Sequence, residues 1–334
     1  MSPLPRREEA ALLLGGTLAA LLLAEAAVRG LGLAERRPTG YAPVDTKGEA
    51  AEPINSGGYR DLERAPAKPP GVRRVLSLGD SFAWGVGVEF EDAYPQRVER
   101  ALNRRGEAWE VVNLALRGMN TAMQAAQLRD VGLAYGPDVV VVGYVLNDAE
   151  DTPAMAARQA QYAEEWRQRK AEKRRRRLEG PPPLERSALY RWVRTRIEAT
   201  GANRRSIEDY ILMYGDGAPG WLAARKALGD MGEGCRRRGI PLVVLVFPKL
   251  ALPSMGMSLD DRYPFAAVHA KVARAAAEAG AKVVDLFPAY RGLRWEVLVV
   301  DGVDDEHPNE IAHRIAAKSL LTALDEVAPA KTRP

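Results

Sequence analysis

A serine in a turn is a weak nucleophile until a histidine can take its proton and a carboxylate can orient that histidine. The chain has only three histidines, His269, His307 and His313, so the search for such a set is short. Ser81 lies in "VLSLGDSFAWGVGV", residues 75 to 88, where an apolar run breaks into Gly79-Asp80-Ser81 and then into Gly85 and Gly87. His307 lies in "DGVDDEHPNEIAH", with Asp304 three residues ahead of it. That spacing lets Asp304 accept the imidazole Nδ1–H through one turn, leaving Nε2 for Ser81. Asp301 and Asp305 could replace Asp304 as the orienting group; Asp304 is preferred on spacing alone. His269, in "FAAVHAKVARAAAEAG", and His313, in the last helical run, read as packing or surface histidines. Asp80 is expected to hydrogen-bond the turn and to point away from the site, and Asn309 suits an N-cap for a helix beginning near Glu310.

These residues need elements to bring them together. Arg74 to Leu78, Glu110 to Leu114, Asp138 to Gly143, Pro241 to Phe247 and Lys282 to Leu286 are short, nearly continuous runs of Val and Leu. Strands buried on both faces have that composition and belong to parallel sheets covered by helices. Helical patterns separate them: Tyr94 to Leu102, Thr121 to Leu133, Trp221 to Arg237, Pro264 to Ala279 and Glu310 to Val327. The alternation predicts a doubly wound α/β sheet. Ligands of such sheets bind at the carboxyl ends of the strands. Strand one ends at Ser81, the segment after strand two reaches Gly118 in "VVNLALRGMN", and strand three leads into "GYVLND" with Asn147. A hydroxyl, a flexible backbone N–H and a side-chain amide are thus expected on one rim.

Four blocks in this order, around Ser81, Gly118, Asn147 and Asp304/His307, resemble those of the SGNH hydrolase superfamily, the GDSL-type esterases and lipases. The resemblance covers roughly 73–148 and 241–324, and "NSGGYRD" at 55 to 61 resembles the lead-in of membrane-anchored bacterial members. It implies a flavodoxin-like three-layer sandwich of about five parallel strands with helices on both faces. It implies further that Ser81 attacks an ester carbonyl, with His307 and Asp304 completing a triad and an acyl-enzyme as intermediate. The oxyanion would be bound by the N–H groups of Ser81 and Gly118 and the Asn147 amide, and no metal or organic cofactor is needed. Two positions depart from the family pattern. Val145 stands where a glycine usually precedes the asparagine by two, and Ala312 where a glycine often precedes the helix histidine. An O-acyltransferase acting on cell-envelope glycans and a catalytically silent glycan- or lipid-binding protein are the competing functions.

With 334 residues the chain suits one α/β domain with additions. We expect an N-terminal membrane anchor or signal segment at 1–34, an entry linker at 35–72 and a hydrolase domain at 73–330, with a largely helical insertion at 149–239 between strands three and four. Within the insertion Leu189, Trp192, Val193 and Ile197 share one helical face that should dock, as a cap over the site or on the sheet. Ala10 to Val28 is a 19-residue apolar stretch interrupted only by Glu25. As a helix it is about 28 Å long, close to a hydrocarbon core. An uncleaved anchor with the catalytic body outside the cytoplasm is the favoured reading; cleavage at "AEA", 24 to 26, would make the protein secreted, and a helix packed on the domain is the third option.

The net charge is +4, yet Arg167 to Arg177 alone carry +7, so the remainder of the chain is mildly acidic. Such a run is most often a solvated helix face; the sharper reading is contact with anionic lipid or an acidic polysaccharide. Nucleic acid is not expected, because no recognition fold or aromatic platform accompanies it. Cys235 is the single cysteine, which excludes an intrachain disulfide, and it reads as incidental.

Overall fold

The computed structural model describes residues 6–34, 53–151, 182–252, 255–300 and 307–329, with isolated positions between 153 and 180. Most of the entry linker, most of the basic run 167–177 and residues 301–306 lie outside the described residues.

Five strands form one sheet: β1 (Arg73–Gly79), β2 (Trp109–Asn113), β3 (Val139–Tyr144), β4 (Leu242–Val246) and β5 (Lys282–Asp285). All neighbours are parallel, in the order β2-β1-β3-β4-β5. This is the flavodoxin-like order, in which the chain reverses direction across the sheet between β1 and β3. Every residue of β3 and β4 is buried, as the unbroken Val and Leu runs require of strands covered on both faces.

The longer helices are α1 (Arg6–Gly30), α3 (Tyr94–Arg104), α4 (Thr121–Asp130), α5 (Ala188–Met213), α6 (Pro219–Arg236), α7 (Ala266–Glu278) and α9 (Glu310–Val327), with single turns α2 (Ser81–Trp84) and α8 (Phe287–Tyr290). α3 packs on α9 at one side of the sheet, while α4, α6 and α7 pack in succession at the other. α9 starts where Asn309 caps it, its side-chain oxygen accepting from Ile311 N and Ala312 N. Ala312, Ala316, Leu320, Ala323 and Leu324 then form its buried stripe. α4 ends at Asp130, short of the Leu133 that the periodicity suggests. Gly132 follows in a 3₁₀ turn that lies so close to β1 that a Cβ there would meet Leu76 Cδ2 at 2.6 Å.

The described part of the entry segment folds onto the domain. Ile54 and Arg60 form an antiparallel bridge, and Arg60 and Asp61 are both buried. Between β3 and β4 lie α5 and α6. Of the helical face expected to dock, Leu189 and Trp192 are half-buried, whereas Val193 and Ile197 are exposed, so the face is covered at one end only. Ile207, Tyr210 and Met213, at the other end of α5, pack against the core. Among the described residues one helical stretch, Ala10–Gly30, is long and apolar enough to cross a membrane, and its leucines are exposed. That exposure, over Leu12 to Leu23, argues against that part of the helix packing on the domain.

Candidate active site

Ser81 is the first residue of α2, which begins directly after β1. A first-turn N–H has no intrahelical acceptor, so the backbone N–H of Ser81 is available to an incoming group. Asp80 caps the turn: its Oδ1 accepts from Phe82 N at 2.9 Å, and Ser81 Oγ donates to its Oδ2 at 3.4 Å. Asp80 therefore does not point away from the site. It also accepts a hydrogen bond from the Asn147 side chain. One buried carboxylate thus gathers two of the residues singled out by sequence, Ser81 and Asn147.

The turn is tight for reasons visible in its glycines. A Cβ on Gly143, the β3 neighbour of Gly79, would lie 2.6 Å from the Tyr94 hydroxyl, and one on Gly79 would lie 2.6 Å from Ala83 Cβ. Gly87 has φ +78°, and a side chain there would strike Val300 Cγ1 at 2.5 Å. Val300 matters because its N–H donates to the His307 carbonyl, 3.0 Å, beside an antiparallel bridge between Val299 and Pro308. Close approach at Gly87 is therefore what lets the His307 segment lie over the serine turn. The imidazole centroid sits 5.5 Å from that of Phe82, the residue after Ser81.

Gly118 follows β2 with φ +75°, a conformation that L side chains rarely adopt. Its N–H has no acceptor among the described residues. The same loop is fastened to β1 by Leu114 N to Ser77 O, 2.9 Å, and Leu116 N to Gly79 O, 3.3 Å. Asn147 lies in the 3₁₀ turn Leu146–Ala149 after β3. Val145, where the family pattern favours glycine, has φ −114° and ψ 153°, an extended conformation open to any residue. The departure leaves the Asn147 turn undisturbed.

Asp304, with Asp301 and Asp305, lies outside the described residues. His269 and His313 sit away from the serine turn, in α7 and α9. His269 is buried, with Nδ1 2.8 Å from Asp285 Oδ1. His313 Nδ1 accepts from Tyr94 N at 3.2 Å, and burial pushes its pKa down to about 3, so it is neutral. Cys235 is buried and free, its thiol pushed up to about 11 by desolvation. No group of three or more metal-ligating side chains occurs among the described residues.

Two features escape a reading by motif. Asp148, next to Asn147, is buried, and desolvation together with the Asp80 charge holds its carboxyl well above the ordinary range. Two neighbouring buried carboxyls do not both ionise readily. Burial raises the Asp80 carboxyl too, opposed by the donors at Phe82, Ser81 and Asn147, while Asp148 is held well above the ordinary range. The second feature is Arg60. It is 2% exposed and donates to the carbonyls of Trp84, Gly85 and Val88 at 3.1, 2.8 and 2.7 Å, the carbonyls that follow the serine turn. Its neighbour Asp61 accepts from Asn113 N, and Asn113 Nδ2 in turn donates to Ala83 O, both at 2.9 Å. The clue in the sequence was "NSGGYRD", whose charged pair follows a turn and directly precedes the site elements.

The model of the GDSL-like Lipase/Acylhydrolase family matches residues 77–315, most of the chain. The chain belongs to that family. It is accordingly an ester-hydrolysing enzyme. No curated protein matches the sequence. Among solved structures, this hydrolase is similar to TesA, at 16% identity over 76% of this chain and 99% of the other, with a TM-score of 0.45. It is also similar to the psychrotrophic esterase EstA from Pseudoalteromonas sp., at 12% over 76% and 97%, TM-score 0.42. A third is the acetyl xylan esterase AlAXEase, at 15% over 75% and 99%, TM-score 0.43.

Proposed function

We propose that the enzyme cleaves its ester through a covalent acyl-serine. Ser81 Oγ attacks the carbonyl carbon, and His307 accepts the hydroxyl proton as the tetrahedral intermediate forms. Collapse expels the alkoxide, which leaves as the alcohol with the proton returned by His307. Water, activated by the same imidazole, then releases the acid and restores Ser81. Asp304 is the proposed orienting carboxylate for His307. The backbone N–H groups of Ser81 and Gly118 and the Asn147 amide are the proposed donors to the oxyanion. Such donors meet charge that develops only in the transition state, and removing one costs about 10²–10³ in turnover.

The observation that carries this reading is the convergence on Asp80. Ser81 Oγ and the Asn147 amide both hydrogen-bond its carboxylate, and the His307 ring centroid lies 5.5 Å from that of Phe82, the residue after Ser81. The buried negative charge of Asp80 also attracts the imidazolium that forms on His307 during attack. The acidic partner of the triad and the stabilising carboxylate under the turn are then separate groups.

We further propose that 73–330 is the hydrolase unit with 149–239 inserted, that 35–72 leads into it and that 1–34 is an uncleaved anchor holding it outside the cytoplasm. The substrate is an ester-bearing glycan or lipid of that compartment, and the run 167–177 contacts anionic lipid or polysaccharide there. Turnover of p-nitrophenyl acetate, butyrate and octanoate tests the chemistry. Ser81→Ala and His307→Ala should each abolish it. A fluorophosphonate should label the parent strongly, His307→Ala weakly and Ser81→Ala not at all. Unchanged turnover by Ser81→Ala would overturn the mechanism.

A further inference from the structure

Glu25 is the one acid inside the apolar stretch Ala10 to Val28, and the structure gives it a partner. Its carboxylate lies at the N-terminus of α5. Ser187 Oγ donates to it at 2.7 Å, Ala188 N at 2.9 Å and Leu189 N at 2.8 Å. Ser187 is itself the N-cap of α5, accepting from Tyr190 N. Two first-turn N–H groups and a hydroxyl are thereby satisfied by one side chain from another helix, with the helix dipole favouring its charge. Arg29, one turn on, donates to Glu25 Oε1 at 2.6 Å and reaches the Arg186 carbonyl at 2.7 Å. Val28 and Ala188 are buried at the same place.

The other end of α5 is equally fixed. Tyr214, which closes α5, is buried, and its hydroxyl donates to the Leu146 carbonyl at 2.9 Å while pairing with the Tyr144 hydroxyl at 2.8 Å. Leu146 adjoins Asn147. Lys249, past the end of β4, donates to the Tyr210 hydroxyl at 3.1 Å. One helix of 26 residues, about 39 Å long, therefore runs from the apolar helix to the turn that carries the Asn147 amide.

We propose that Glu25 fastens α1 to α5, making α5 a strut that holds the catalytic face in one orientation to a lipid bilayer crossed by α1. The proposal rests on reading α1 as an uncleaved anchor. The exposed leucines of α1, with the acid at one end meeting polar groups of the domain, identify the bilayer as the occupant of the α1 surface. A flexible tether would leave the site free to sweep the volume around the anchor; a strut confines it to one patch beside the membrane.

The test uses the full chain in phosphatidylglycerol-containing nanodiscs, with Cys235→Ser and spin labels at exposed Leu14 and Arg225. Pulsed dipolar spectroscopy should give one narrow distance in the parent and at least a doubled width in Glu25→Ala. Ser187→Ala with Glu25→Gln should widen it as well. A width in Glu25→Ala equal to that of the parent, or a broad distribution in the parent, overturns the strut. Intact mass of membrane-purified protein should show residues 1–34 retained; a mature N-terminus following Ala26 overturns it too. Vesicle flotation separates the two levels, because Glu25→Ala should float like the parent, while a parent that does not float removes the anchor and the proposal with it. p-Nitrophenyl acetate turnover in detergent should be the same for Glu25→Ala and parent, showing that the domain itself is folded.

Discussion

Replacing Arg60 by methionine keeps most of the side-chain volume and removes the three hydrogen bonds to the Trp84, Gly85 and Val88 carbonyls. Each bond to a charged donor contributes about 1.5–3 kcal/mol net, and the Trp84 carbonyl is left buried without a donor, while Gly85 O keeps only the 3.3 Å bond from Val88 N. Removing the guanidinium also removes the cost of burying its charge, which offsets part of the loss. The expected destabilisation is about 3 kcal/mol, read as a lower midpoint in urea at unchanged slope. The functional effect is separable. Because those carbonyls lie at the C-terminal end of α2 and Ser81 at its start, the turn should relax, and misplacement of a nucleophile by about 1 Å can cost on the order of 10² in rate. We expect kcat for p-nitrophenyl acetate to fall by about that factor with KM little changed, measured without urea where both proteins are folded. Arg60→Lys, able to reach one or two of the carbonyls, should recover part of the rate. Lost stability with parental kcat in Arg60→Met would show that Arg60 only braces the fold, and the assignment of a positioning role would be withdrawn.

Asp61 has its carboxyl pushed up to about 6 by burial, against hydrogen bonds from Asn113 N and Leu62 N. A raised carboxyl pKa contributes stability that is full below the unfolded value near 4 and lost as pH rises through about 6. Urea midpoints should therefore fall between pH 5 and pH 7.5 by more in the parent than in Asp61→Asn; parallel curves would contradict this. Gly87→Ala places a methyl against Val300 and demands a left-handed backbone, so it should cost about 1–3 kcal/mol and at least tenfold in kcat by moving the His307 segment, and a normal kcat would show that the approach can be relieved elsewhere. Tyr214→Phe removes the hydroxyl held by Tyr144 and Leu146 and should cost about 1 kcal/mol in thermal or urea unfolding; no measurable loss would mean that water replaces it.

The sheet was legible because its strands are buried on both faces, and continuous Val and Leu runs have few other uses. The end of α9 at Val327 and its start after Asn309 were legible too, since an Asx cap and an apolar stripe agree there. The end of α4 was not, because the apolar period continues through Leu133 while the close passage of Gly132 over Leu76 breaks the helix. The candidate site residues divide in the same way. Ser81, Gly118 and Asn147 are announced by strand ends and turn residues, whereas Arg60, Asp61 and Asp148 act through burial, and burial of a charged residue is a property of its neighbours. An Arg in a Pro- and Glu-rich stretch looks solvated until the carbonyls that need it are known.

Glu25 reverses the usual inference about a charge in an apolar segment. Read alone, it weakens the case for a membrane helix, since an unpaired carboxylate in hydrocarbon is expensive. Paired with the first-turn N–H groups of α5, it sits at the domain end of the apolar segment, about 7.5 Å of helix before Gly30, where its charge is met by polar groups. The same carboxylate also completes the N-terminal cap that Ser187 begins on α5. An acid is the only kind of side chain that can accept from a hydroxyl, two backbone N–H groups and an arginine at once, so Glu25→Leu, which makes the segment more apolar and a better membrane helix, should nonetheless loosen the domain from it. Parental distance widths in the Glu25→Leu protein would show that apolar packing around Val28 and Ala188 suffices without the carboxylate.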